Sequence, residues 1–200
     1  PPTLGYAGLR LHFPLNKPEV FDEVIVFQGA SYFRALGKGN VYGLSSRGLA
    51  LNCALPGVTE EFPMFREFWV GKPEGAQRAI KIFALLDSVS VAGAYQFDVN
   101  PGDATTVDVH ASLFFRNTNS VVGLAPTSSM FWFGENSRQR FDDYRPEVHD
   151  SDGLAIRTTS GECLWRPTAN NPPDIETHSF KVGGVKGFGL LQRDRNFSNY

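Results

Sequence analysis

Between Tyr144 and Leu154 the sequence YRPEVHDSDGL gathers Arg145, Glu147, His149, Asp150 and Asp152 into one short segment. Carboxylates at this density, with an imidazole and a guanidinium among them, are the material of general acid–base chemistry. Just upstream, SMFWFGENS (Ser129–Ser137) runs from aromatic residues into Glu135 and Asn136. Hydrolysis of a glycosidic bond needs one carboxylic acid at the leaving oxygen and one carboxylate that activates water, facing each other across a cleft. Asp142, Asp143, Glu147, Asp150 and Asp152, with Glu135 upstream, supply the residue type. In an extended chain Asp150 and Asp152 share a face, whereas a turn at Gly153 splays them. A charged surface turn with an Arg145–Glu147 pair accounts for the same residues, and residue types alone leave both accounts open.

Aromatic residues bear on the choice. Trp69, Trp132, Trp165, Tyr32 and Tyr144 have flat faces on which sugar rings stack, and each is equally a core residue taken singly. Their neighbours favour a polar cleft. Glu135 and Asn136 follow Trp132, Arg166 follows Trp165 and Arg145 follows Tyr144, while Tyr32, Arg34 and Leu36 alternate with Phe33 and Ala35. A strand buried on both faces has no need of such partners.

Other chemistries find less support. His12, His110, His149 and His178 are scattered and HExxH is absent, so no metal site is expected. Asp150-Ser151-Asp152-Gly153 resembles the middle of a calcium loop, but Val148 and Thr159 fall where the first and last ligands belong. Gly37, Gly39 and Gly43 have GxGxxxG spacing with no helical pattern after them, which makes them turn glycines. Cys53 and Cys163 are too few for a disulfide scaffold; buried free thiols are expected, with a single bridge in an oxidising compartment as the alternative. No cofactor is implied. A net charge of -2 and a pI near 6.1 leave no electrostatic footprint for nucleic acid or an anionic membrane. No apolar run is long enough for a membrane-spanning helix.

The elements that must position these residues read as strands. With 20 Gly and 13 Pro in 200 residues, turns are frequent. Leu4–Phe13 reads as one strand, and Val20–Gly37 as two broken at Gln28-Gly29. Glu61–Val70, Arg78–Asp87, Val89–Val99 and Thr105–Arg116 follow. Val107, Val109, Ala111 and Leu113 alternate with Asp108, His110 and Ser112, the period of a two-faced strand. Successive runs with turn signals between them predict an antiparallel meander. Short strands are expected at Leu154–Arg157, Glu162–Arg166, Glu176–Val182 and Gly187–Arg193. No window sustains helical spacing, and the fold class is all-β, a large antiparallel sandwich.

Several stretches carry a family resemblance. FQGASYFRALG (Phe27–Gly37), YGLSSRGLA (Tyr42–Ala50), EFPMFREFWV (Glu61–Val70), SMFWFGENS, YRPEVHDSDGL and GFGLLQRDRNF (Gly187–Phe197) resemble, in order, the periplasmic glucan biosynthesis protein G/D family. That resemblance implies a galactose-mutarotase-like supersandwich, of which residues 1–200 are an incomplete part of the large N-terminal glucan-binding domain. By the same resemblance, the family's signal peptide and C-terminal immunoglobulin-like domain are expected to lie outside residues 1–200. An incomplete sandwich is expected to leave open, aggregation-prone sheet edges.

The resemblance further implies a periplasmic location and a part in making osmoregulated periplasmic glucans. The D type is similar to inverting endo-β-1,2-glucanases, so the chain is expected to bind a β-glucan and to cleave its β-1,2-linked backbone. One catalytic carboxylate is then Asp150 or Asp152, with the other past Tyr200; Asp194 is expected to be structural, paired with Arg193 or Arg195. Tyr144, Arg145, His149, Trp132, Glu135, Asn136, Trp69, Tyr32 and Arg34 are the expected substrate-binding residues. A non-catalytic factor that guides nascent glucan is the competing function, and a mutarotase follows from fold analogy alone. The expected partner is a glucan oligosaccharide or polysaccharide, with neither nucleic acid nor membrane insertion; a homodimer is the arrangement left open.

Overall fold

The computed structural model describes residues 5, 8–73, 75, 78–118, 121–135, 142–168, 174 and 176–199. The chain divides into two compact units, Pro1–Pro126 and Thr127–Tyr200. The first contains β1 (Gly8–Phe13), β2 (Asp22–Gln28), β3 (Tyr32–Ala35), β4 (Ser45–Arg47), β5 (Ala50–Leu51), β6 (Met64–Val70), β7 (Ile80–Asp87), β8 (Val91–Asn100), β9 (Thr106–Phe115) and β10 (Val122–Gly123). The second contains β11 (Thr127–Ser128), β12 (Phe131–Phe133), β13 (Val148–His149), β14 (Gly153–Thr158), β15 (Cys163–Pro167) and β16 (Val185–Leu191), and ends in a 3-10 turn at Phe197–Asn199. Among the described residues there is no α-helix, and every ladder is antiparallel, as the all-β expectation requires.

In the first unit, β1 to β4 pair in sequence order, and β6 to β9 form the expected four-stranded meander. The two sheets bury one face each. Strict alternation along β8 sends Val91, Tyr95, Phe97 and Val99 inward, opposite Ile82, Ala84 and Leu86 of β7. They meet Val24, Ile25 and Phe27 of β2, and Phe27 touches the rings of Phe33, Phe65, Phe68 and Phe97 at centroid distances of 5.7, 6.1, 5.2 and 4.9 Å. Burying side chains of this size stabilises by roughly 1.5–3 kcal/mol each, which makes this aromatic node the main cohesive element of the unit. A β-bulge between Phe65 and Glu67 lets Phe65 and Phe68, three residues apart, both join the core. The turn from β2 to β3 uses left-handed backbone at Gly29 (φ 79°) and Ala30 (φ 45°), at the break the sequence predicts.

In the second unit, β12 pairs with β13, with Phe131 opposite His149. A three-stranded sheet has β14 at its centre, between β15 and β16. Three expectations are corrected here. Glu176–Val182 forms no ladder, and Phe180 instead lies under the Arg166 guanidinium, 5.6 Å from its ring centre. Gly153 makes no turn; it begins β14, because a Cβ there would stand 2.4 Å from the Arg166 carbonyl oxygen and 2.8 Å from the Trp165 ring. The cysteines are free but exposed rather than buried. Cys53 sits between Asn52 (φ 57°) and Ala54 (φ 54°), in a turn that turns its side chain away from the core.

Candidate functional site

The segment from Glu147 to Gly153 obeys a strand's alternation beyond the two residues that pair in β13. Glu147, His149, Ser151 and Gly153 are buried, while Val148, Asp150 and Asp152 are half-buried. The segment runs from the β12–β13 pair directly into β14, and each of its residues is fixed by a different neighbour.

Glu147 and His149, two apart on the buried side, meet through Oε2 and Nε2 at 2.7 Å, with only 8% and 2% of their side chains exposed. Phe131 of β12 covers the imidazole, with ring centroids 5.3 Å apart and planes at 25°. Asp150 is clamped to Met130: its N–H donates to the Met130 carbonyl at 2.8 Å, and its Oδ2 accepts the Met130 N–H at 3.0 Å. The Ser151 and Ser129 hydroxyls share a hydrogen bond of 2.6 Å. Asp152 is held from the other side. Its N–H donates to the Leu191 carbonyl at 2.9 Å, its carbonyl accepts the Thr168 N–H at 2.8 Å, and its Oδ2 accepts the Arg193 N–H at 2.6 Å. Its second oxygen, Oδ1, lies 4.0 Å from His149 Nδ1.

The Arg145–Glu147 pair expected from the sequence is replaced by two others. Arg145 turns back on Asp143, donating from its backbone N–H and Nε to Oδ1 at 3.0 and 2.9 Å and from Nη2 to Oδ2 at 2.6 Å. Those bonds hold the Asp143 carboxyl down at about 2, far below its usual range, and raise the Arg145 guanidinium. Asp142 adopts φ 47° just before them, so the backbone turns here and reaches the extended form only after Pro146. Glu147 is thereby left to His149. Asp194, expected beside an arginine, accepts the Asn196 N–H at 2.8 Å and the Asn199 amide at 2.6 Å, which lower its carboxyl.

The aromatic expectations divide by unit. In the second, Trp132 of β12, Trp165 of β15 and Tyr144 expose 52%, 41% and 97% of their surface, which core residues do not. Glu135 is exposed in the turn after β12, and Asn136 lies outside the described residues. Tyr32 and Arg34 belong to β3 of the first unit; both are half-buried on the side opposite Phe33, and the Arg47 guanidinium lies 5.4 Å from the Tyr32 ring centre. Trp69 stands on the outer face of β6 opposite Phe83, beside a cleft of about 730 Å³ within the first unit that Arg66, Glu67 and Gln28 also line. Among the described residues no three His, Cys, Asp or Glu side chains gather as metal ligands. No helix there is long and apolar enough to cross a membrane.

Phe131 was not among the residues expected to bind or react, and Glu147, one of the candidate carboxylates, was given no role of its own. The i, i+2 spacing of Glu147 and His149 was the available signal, since it places both on one face of an extended chain. For Phe131 no comparable signal exists, because its partner lies eighteen residues away across a ladder.

Fold and site together define an all-β protein with exposed aromatic rings and a carboxylate–imidazole cluster on one strand connection. Over its full length, residues 1–200, the chain matches the family described as periplasmic glucan biosynthesis protein, MdoG, and it belongs to that family. It is 58% identical over 197 residues to glucans biosynthesis protein G of Shewanella frigidimarina, covering 98% of this chain and 35% of that protein. It is 56% identical over 197 residues to the protein of the same name from Vibrio cholerae, covering 98% of this chain and 36% of that one. Glucans biosynthesis protein G 1 of Shewanella oneidensis is 57% identical with the same coverage, 98% and 36%. The chain thus spans about a third of the length of these curated relatives.

Proposed function

We propose that the chain forms part of the glucan-handling region of a periplasmic protein that acts in osmoregulated periplasmic glucan synthesis. Within it, Asp152 serves as one acid/base carboxylate for inverting cleavage of the β-1,2-linked backbone. Membership of the glucan biosynthesis family supports the substrate class. The observation that carries the assignment is the contrast between the two aspartates. Asp150 Oδ2 is spent on the Met130 backbone clamp, while Asp152 is anchored through Oδ2 and directs Oδ1 toward the His149 ring. An anchored carboxyl with a second oxygen beside an ionisable ring suits proton transfer. In the reaction the acid passes its proton to the leaving oxygen as the C1–O bond breaks. Water adds at C1 and yields its proton to a second carboxylate, roughly 6.5–9.5 Å from the first in inverting enzymes. Trp132, Trp165 and Tyr144 offer exposed stacking surfaces in the second unit, and Trp69 a further one in the first.

A second reading is a factor that binds nascent glucan without turnover. What favours it is that the other described carboxylates around Asp152 are engaged: Asp143 by Arg145, Glu147 by His149 and Asp150 by Met130. Reducing ends released from linear β-1,2-glucan by the complete protein separate the two. Turnover lost in Asp152→Asn, kept in Asp150→Asn, and with binding retained in both, is the expected result. Full turnover in Asp152→Asn would remove that residue from the chemistry.

A further inference from the structure

Glu147 has no part in the hydrolysis just described, yet it is a buried carboxylate, which is costly unless it serves as a partner. Among the described residues its neighbour of opposite character is His149, whose other ring nitrogen lies 4.0 Å from Asp152. We propose that Glu147 and His149 are positioning residues for Asp152: Glu147 accepts the Nε2 hydrogen and thereby turns Nδ1 of the ring to Asp152 Oδ1, so that imidazole and carboxyl hold one proton between them.

Three observations support this arrangement. The 2.7 Å contact fixes which ring nitrogen faces Glu147, and a carboxylate can only accept, so Nε2 carries the hydrogen. Phe131 stacks on one face of the ring, with centroids 5.3 Å apart, which restrains it from turning away from Asp152. Asp152 is held at three points, by Leu191, Thr168 and Arg193, so its carboxyl does not drift from the ring. The 4.0 Å gap between Nδ1 and Oδ1 is longer than a hydrogen bond and is of the kind that tightens when substrate binds.

Among the described residues, Glu147 from its own strand and Asp152 from the connection to β14 are charged groups facing the ring, and Phe131 of β12 stacks on it. Asp150 directs its carboxylate to Met130, and Arg193 reaches Asp152 through its backbone N–H alone.

The inference rests on Asp152 as the reacting carboxylate, and its test is built so that either can fail alone. The ring nitrogens of His149 are followed by ¹⁵N NMR against pH in the complete protein, in the wild type and in Asp152→Asn, Glu147→Gln and Asp150→Asn. The Nε2–H form is expected in the wild type. The titration midpoint is expected to fall by about 1 pH unit or more in Asp152→Asn and in Glu147→Gln, and by less in Asp150→Asn. An unchanged midpoint in Asp152→Asn, or an equal shift in Asp150→Asn, overturns the proposal. In parallel, the pH profile of glucan cleavage is expected to shift one limb to lower pH in Glu147→Gln, with KM unchanged; a fixed limb removes the pair from the reaction. Should the wild type release no reducing ends while the NMR shifts appear, the hydrolase reading fails and the shared proton stands. Glu147→Asp, which keeps the charge on a shorter arm, covers the case in which the glutamine variant does not fold.

Discussion

Glu147 Oε2 and His149 Nε2 lie 2.7 Å apart with both side chains buried, so neither can be removed without exposing the other to a low-dielectric setting. Breaking a buried pair costs more than the pair itself contributes, because the survivor is left uncompensated. His149→Phe keeps the stacking with Phe131 but strands the Glu147 carboxylate, and is expected to lower stability by about 3–5 kcal/mol. Glu147→Gln keeps an acceptor and is expected to cost about 1 kcal/mol. Urea unfolding checks both, as shifts in midpoint at constant slope; a His149→Phe midpoint within error of wild type would show that the pair is not a structural tie.

Asp143 provides a pH-dependent tie in the loop ahead of β13. The hydrogen bonds from Arg145 hold its carboxyl at about 2, against an ordinary value of 3.8. A carboxylate with a depressed folded value contributes stability that is complete above its unfolded value and is lost as pH falls through the folded one. Loosening of the 142–146 loop is therefore expected between about pH 4 and pH 2 and not near neutrality. The Asp143 carboxyl ¹³C resonance should titrate near the lower value in the wild type and return to the ordinary range in Arg145→Ala. Equal midpoints in the two proteins would sink this account.

Gly153 is required by proximity rather than by backbone freedom. A methyl group there would meet backbone atoms of β15 at 2.4 and 2.9 Å, atoms that cannot step aside without opening the ladder. Gly153→Ala is expected to destabilise by about 1–3 kcal/mol, the usual cost of overpacking. Because Asp152 precedes it directly, the same change should displace the carboxyl from His149 and cut glucan cleavage more than glucan binding. Thermal unfolding and reducing-end release on one preparation check the two effects separately.

Much of the fold was legible because strand alternation reports burial, and burial is what the β6–β9 meander achieves. Val107 and Leu113 of β9 and the inward set of β8 lie where period-2 spacing puts them. Alternation does not report whether a partner edge is available, and so Glu176–Val182 reads as a strand yet pairs with nothing among the described residues. Nor does it reveal left-handed backbone, which turns Cys53 outward at Asn52 and Ala54, and sends Arg145 back to Asp143 after Asp142. The chemistry-bearing stretch itself was visible as a concentration of charge. Its internal pairing was not, because two i, i+2 pairs, Arg145–Glu147 and Glu147–His149, competed for one carboxylate. Only where the chain becomes extended decides between them.

The bulge in β6 sets the phase of everything after it. Without the bulge, Phe65 facing inward would require Glu67 and Trp69 to face inward too, and Phe68 to face out. Arg66 absorbs that half-period, so one strand begins as core and continues with its indole toward the cleft. Deleting Arg66 would therefore remove the bulge and keep both faces, Phe65 and Phe68 inward and Glu67 and Trp69 outward, whereas flattening the bulge with Arg66 retained would send an acid and an indole into the aromatic node.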